Sequence, residues 1–158
     1  MTLGAPQLAG LTGTLAQHYA DWSALITPDP DRRVYRQIWD HPSANAWMIA
    51  WCPGQDTGWH DHDDAGAAIT ALHGEVFEER MQLGGGTVSR LIAAGQVFHV
   101  PATAIHRVRH AGTDAAVTVH CYSPPLQRQG SYSVGPSGEL LRTAQSLEQE
   151  LRAEPALI

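Results

Sequence analysis

Between residues 33 and 123 the chain breaks into short apolar or alternating runs, each closed by glycine or proline, and this rhythm constrains the fold more than any other feature. Residues 33–39 alternate. Residues 46–52 form an apolar run ended by Pro53-Gly54. Residues 67–73 and 75–81 flank Gly74. Gly84-Gly85-Gly86 precedes 87–92, Gly95 precedes 97–100, and 115–122 stops before Pro124-Pro125. Such runs suit strands, and their regular punctuation predicts an all-β sandwich or barrel. Outside this stretch, Leu8, Leu11, Leu15, Tyr19 and Trp22 recur at three- and four-residue spacing. That pattern predicts an N-terminal amphipathic helix over 7–26, stopped by Thr27-Pro28-Asp29-Pro30. In the tail, 131–134 and 139–142 flank Gly135-Pro136-Ser137-Gly138 and read as a hairpin. Ser146 followed by Gln149 is a capping-box pattern, predicting a short C-terminal helix over 147–153.

At 158 residues the chain suits one domain, 1–158, with its barrel in 33–125. The net charge of −6 argues against nucleic acid, whose binding needs a concentrated basic surface. No apolar run approaches the length of a membrane span. The segment MTLGAPQLAG lacks the charged and apolar regions of a signal peptide, so a cytoplasmic location is expected. The two cysteines, Cys52 and Cys121, lie in apolar runs and read as buried free thiols.

The densest chemical signal is Pro53-Gly54-Gln55-Asp56-Thr57-Gly58-Trp59-His60-Asp61-His62. Strand side chains alternate faces, so His60 and His62 point one way and Asp61 the other. Downstream, Gly95, Pro101 and His106 offer a third imidazole on a neighbouring strand. Three neutral imidazoles around one ion leave coordination positions open for substrate. A carboxylate ligand from Asp63 or Asp64 is the rival. Thr118, His120 and Tyr122 alternate with Val117, Val119 and Cys121, which puts hydroxyl, imidazole and phenol on one strand face. Buried polar groups must be hydrogen-bonded, so this face needs partners.

These segments resemble the paired motifs of the cupins: Gly54, His60, His62 and Gly74, then Gly95, Pro101 and His106. The general pattern has a glutamate ligand four or five residues after the second histidine, where Gly66 and Ala67 stand here. In that departure, in the His60-Asp61-His62 core, and in Thr118-Val119-His120-Cys121-Tyr122, the chain resembles the bacterial cysteine dioxygenases. The likeness covers about residues 33–125, within a jelly-roll-like cupin barrel. It implies iron(II) on His60, His62 and His106, with Thr118, His120 and Tyr122 as catalytic support. It implies that Arg36 grips the substrate carboxylate, with Tyr122 beside it. The partners are then a small thiol, L-cysteine first, and dioxygen, giving a sulfinic acid. Gln37, next to Arg36, keeps 3-mercaptopropionate open as substrate. The family's thioether cysteine falls at Ala67, so Tyr122 is expected to be unmodified. On the same scaffold, a metal cupin of another reaction class or a non-enzymatic ligand-binding cupin remains the alternative.

Overall fold

The computed structural model describes residues 1–146. After helix α1 (Ala5–His18) and a short 3₁₀ turn (Trp22–Ala24) the described chain is built of strands. These are β1 (Val34–His41), β2 (Ala44–Trp51), β3 (His60–Asp61), β4 (Gly66–His73), β5 (Glu75–Met81), β6 (Thr87–Ile92), β7 (Phe98–Val100), β8 (His106–Ala111), β9 (Ala116–Ser123), β10 (Arg128–Val134) and β11 (Leu140–Ser146). They form two antiparallel sheets, one ordered β1-β2-β9-β4-β7 and the other β11-β10-β3-β8-β5-β6. The all-β expectation holds.

The core between the sheets contains Ile49, Trp51, Ile69, Val76, Ile92, Val100 and Val108. A second apolar layer lies on the opposite face of the β2–β9–β4 sheet. There Leu8 and Leu15 of α1 pack against Ala46, Ala68, Val119 and Cys121. Because β9 is covered on both faces, all eight of its residues are buried. Each buried leucine of α1 contributes roughly 1.5–3 kcal/mol by leaving water. Thr12, between them, donates its hydroxyl back to Leu8 O and so leaves no unpaired group in this layer.

The helix is shorter than the predicted 7–26. The backbone leaves the helical region at Tyr19 (φ −102°, ψ 27°), whose hydroxyl donates to Ile38 O at 3.0 Å. Trp22 then packs near Ile26, Met48 and Val117. The apolar spacing continues through the break because both pieces cover the same sheet face. The chain therefore turns well before Pro28. The tail hairpin forms and is longer than predicted, with Arg128 paired to Ser146 and Val134 to Leu140. The helix expected over 147–153 lies outside the described residues.

Gly74 makes the sharp turn from β4 to β5 at φ +62°, and a Cβ there would meet Ala115 O at 2.7 Å. No described helix is long and apolar enough to cross a membrane.

Candidate metal centre and active site

The loop before β3 is fastened at both ends. Gln55 accepts from Cys52 N at 2.9 Å and donates to Asp29 O at 2.8 Å, tying this loop to the segment that leads into β1. Thr57 exchanges bonds with β8: its amide donates to Val108 O and its hydroxyl accepts from Val108 N, both at 2.9 Å. These ties seat the two-residue strand β3 between β10 and β8, with His60 directly across from His106. Asp61 points outward, as the strand period predicts. Its carboxylate accepts from Gly130 N, Asp63 N, Tyr132 Oη and the Arg142 guanidinium. Burial pushes Asp61 up, but those bonds hold it well below the usual carboxylate range. Asp63 pairs with Arg142 and Arg128 on the same outer face. Asp63 and Asp64 line a separate outer pocket and do not join the group of His60, His62 and His106.

His60, His62 and His106 are buried, and one ring nitrogen of each lies within 4.8 Å of the others. The Nε2 atoms of His62 and His106 are 3.2 Å apart. Two nitrogens bound to one ion at ordinary imidazole–metal distances would be about 3.4 Å apart in tetrahedral geometry. The protonation pattern fits as well. His60 Nδ1 lies 3.0 Å from Gly58 O, which can only accept, so Nδ1 carries the proton and Nε2 is bare. Burial pushes His60 from 6.5 down to about 4, against the Gly58 bond and with help from the Arg33 charge. Burial and mutual repulsion drive His62 and His106 well down too. Neutral imidazoles with lone pairs converging in a buried space suit a divalent cation.

The second polar face forms as its two-residue spacing predicts. Thr118, His120 and Tyr122 are all buried. His120 Nε2 is 2.9 Å from Thr118 Oγ1, and Tyr122 Oη is 3.4 Å from His120 Nδ1. Trp51, fully buried, donates Nε1–H to Thr118 Oγ1 at 2.9 Å and so anchors the row. Burial first, then the charges of His60 and Arg33, pushes His120 down to about 3, so its ring is neutral. The Tyr122 ring stands edge-on to His62, with centroids 4.9 Å apart. Across the ladder from Tyr122 is Ala67, while Cys121 faces α1.

Arg36 does not join this site. It lies exposed on β1 and donates Nη1–H to Leu25 O at 2.9 Å, beside the 25–32 segment. The basic residue that lines the cavity with His60, His120 and Tyr122 is Arg33. Its guanidinium lies 5.3 Å from the Tyr35 ring centroid and 5.6 Å from that of Trp51. Arg33 stands just before β1 and lines the pocket, while Arg36 on β1 turns toward Leu25. Gln37 is exposed and outside the cavity.

Two further residues complete the surroundings of the site, and of these Glu78 escapes a reading by motif. Trp51 has the anchoring role just described. Glu78, on β5, is 1% exposed and lies 3.2 Å from His106 Nδ1. Burial pushes its carboxyl up, opposed by the bond and charge of Arg90. The strand period held a clue: Glu78 shares its face with Val76, which belongs to the core. His110, by contrast, closes the β8–β9 turn through a 2.7 Å contact between Nε2 and Asp114 O.

Fold and site together define a cupin with a three-histidine cluster that can hold a metal ion. Residues 5–134 match the family described as cysteine dioxygenase type I, and the chain belongs to that family. Among solved structures, TT1209 of Thermus thermophilus is 24% identical, covering 66% of this chain and 95% of its own, with a TM-score of 0.58. The cupin domain of Cnp3 from Schizosaccharomyces pombe is 12% identical at a TM-score of 0.54, covering 63% of this chain and 65% of its own. An oxalate oxidase bound to the substrate analogue glycolate is 19% identical at 0.53, covering 60% of this chain and 52% of its own. These likenesses establish the double-sheet cupin fold.

Proposed function

We propose that the chain is an iron(II)-dependent thiol dioxygenase that converts a small carboxylate-bearing thiol, L-cysteine foremost, to its sulfinic acid. The balance is RSH + O₂ → RSO₂H: both oxygen atoms end on sulfur and no other reductant is consumed. The observation that carries this reading is the placement of His120, Tyr122 and Arg33 around one cavity at His60, with Thr118 bonded behind His120. Iron(II) held by His60, His62 and His106 would activate the thiol as thiolate and bring dioxygen to it.

The chain's own groups do the rest. Arg33 offers a planar pair of donors that matches a carboxylate and fixes the substrate's far end. The Tyr35 and Trp51 rings beside its guanidinium limit the freedom it loses on binding. Tyr122 Oη can donate to an oxygen or amine at the open side of the histidines. His120 keeps the phenol oriented, and neutrality lets one ring nitrogen accept while the other donates. Thr118 Oγ1, held by the Trp51 Nε1–H, stands against His120 Nε2 and fixes the plane of the ring.

The test is anaerobic reconstitution with iron(II), followed by dioxygen consumption with cysteine, 3-mercaptopropionate and cysteamine. Stoichiometric conversion of cysteine to its sulfinic acid is expected. No dioxygen uptake with any thiol by the iron-loaded protein would sink the reading.

A further inference from the structure

The general cupin pattern places a glutamate among the metal ligands, and here that carboxylate is replaced by Gly66 and Ala67. A carboxylate nonetheless reaches the centre from elsewhere. On β5, the strand period turns Val76, Glu78 and Arg80 to the inner face and Phe77 and Glu79 to the outer one. In the β5–β8 ladder Glu78 pairs with Val108, and Arg80 with His106. This register carries the Glu78 side chain alongside the His106 ring. Oε1 of Glu78 accepts from Arg80 Nε at 2.6 Å and faces His106 Nδ1 at 3.2 Å; Oε2 accepts from Arg90 Nε at 2.8 Å. Two guanidinium N–H groups and the His106 Nδ1 thus converge on two oxygens; an ionised carboxylate, which only accepts, satisfies both guanidiniums and calls for an N–H at His106 Nδ1. Both guanidiniums also donate to His99 O, so the carboxylate is held from two sides and cannot swing away.

We propose that Glu78 is the positioning residue of the metal centre: it fixes the His106 ring with the proton on Nδ1, keeps Nε2 bare toward His60 and His62, and supplies the anionic charge one bond outside the ligand ring. The inference rests on the three-histidine metal reading and goes beyond it by making the ligands unequal. His60 leans on a neutral backbone carbonyl, Gly58 O. His106 leans on a carboxylate, which makes its ring the stronger donor, as carboxylate partners of ligating histidines do. Loss of Glu78 should therefore act on His106 and leave the His60 tautomer unchanged.

The test uses the whole chain, with Co(II) as the probe metal and two readouts other than turnover. In metal-free protein, ¹⁵N spectra of the histidines report tautomers. The wild type should show His106 protonated on Nδ1, and Glu78→Leu should lose that state while His60 keeps it. In Co(II) titrations, Glu78→Leu and Glu78→Gln should bind about 10–100-fold more weakly than wild type, the usual cost of losing such a partner. Glu79→Gln, whose carboxylate faces outward to Arg107 and Arg109, should bind as the wild type does. If the Glu78 variants do not fold, Arg90→Met carries the test. It removes one of the two clamps from a partly exposed position, and Co(II) binding should weaken several-fold. A folded Glu78→Leu, or Arg90→Met in its place, with wild-type Co(II) affinity and an unchanged His106 tautomer overturns the proposal. A wild type that takes up no Co(II) overturns the metal reading itself, which separates the two failures.

Discussion

His60 of β3 and His106 of β8 are direct partners across the ladder, with ring centroids 4.5 Å apart. Two residues far apart in sequence are thereby placed by backbone pairing, and the facing nitrogens of His62 and His106 follow from it. His60 and His106 are thus held by the sheet itself, and His62 stands at the start of the turn that follows β3. His60→Ala should therefore abolish stoichiometric metal uptake, measured by Co(II) titration, while the far-ultraviolet circular dichroism stays that of the wild type. Full uptake by this variant would refute the three-histidine assignment.

Arg33 and Arg36 make opposite predictions. Arg33→Ala should raise KM for cysteine about tenfold or more with a smaller effect on kcat, because a carboxylate clamp binds ground and transition states alike. Cysteamine, which lacks the carboxylate, should be far less affected. Arg36→Ala should change neither constant, since that side chain is exposed and bonded to Leu25 O. A large KM effect at Arg36 with none at Arg33 would reverse this assignment.

Tyr122→Phe retains the ring beside His62 and removes the hydroxyl near His120. Metal binding should persist, and sulfinate formation should fall about tenfold or more, equivalent to about 1.4 kcal/mol of transition-state stabilisation. Peptide mass should show Tyr122 without the loss of two hydrogens that a thioether causes. Ala67 faces it, and Cys121 packs toward α1, where burial pushes the thiol up to about 11. A fully active Tyr122→Phe would remove this residue from the chemistry.

Acid should destabilise the metal-free protein through His120. Its folded-state pKa, about 3, lies below the ordinary 6.5, so between these values the unfolded chain binds more protons than the native one. The stability contributed by the neutral ring is complete above about pH 6.5 and is lost as pH falls toward about 3. Urea midpoints measured across this range should fall with pH, and less steeply in His120→Gln. Equal slopes for the two proteins would show that His120 is not buried in its neutral form.

Arg142 tests the outer brace of β3. Arg142→Ala removes the two guanidinium bonds to Asp61 and its pairing with Asp63. Asp61 is largely covered but Arg142 is 36% exposed, so solvent screens part of the effect. The expected loss is about 1–2 kcal/mol, read as a Tm decrease of several degrees. An unchanged Tm would mean that the remaining partners of Asp61 suffice.

Several of these relationships follow from local periodicity alone. His60 and His62 had to share a face, as did Thr118, His120 and Tyr122, because the strand repeat is two residues whatever the fold. Their spacing to Gly54, Gly95 and Pro101 marked the architecture, and the punctuation of 33–123 marked the strands. Which face of β1 looks inward was not legible. The two faces of the chain entering β1 carry similar mixtures: Arg33, Tyr35 and Gln37 on one, Val34, Arg36 and Ile38 on the other. On the outer face the N-terminal segment covers Val34 and Ile38, which pack near Ile26 and Met48, while Arg36 between them stays exposed. With apolar residues packed on both faces, hydrophobicity no longer separates inside from outside, and Arg33 could be told from Arg36 only by tertiary packing. Glu78 was hidden for a related reason. In Glu78-Glu79-Arg80 the charges run continuously; the strand period puts Glu78 on the face of Val76, and the pairing of β5 with β8 brings that face to His106 and turns Glu79 toward Arg107. Sequence periodicity therefore determined which side chains share a strand face. Tertiary structure decided which face meets the metal site, because that depends on what covers the other side of the sheet.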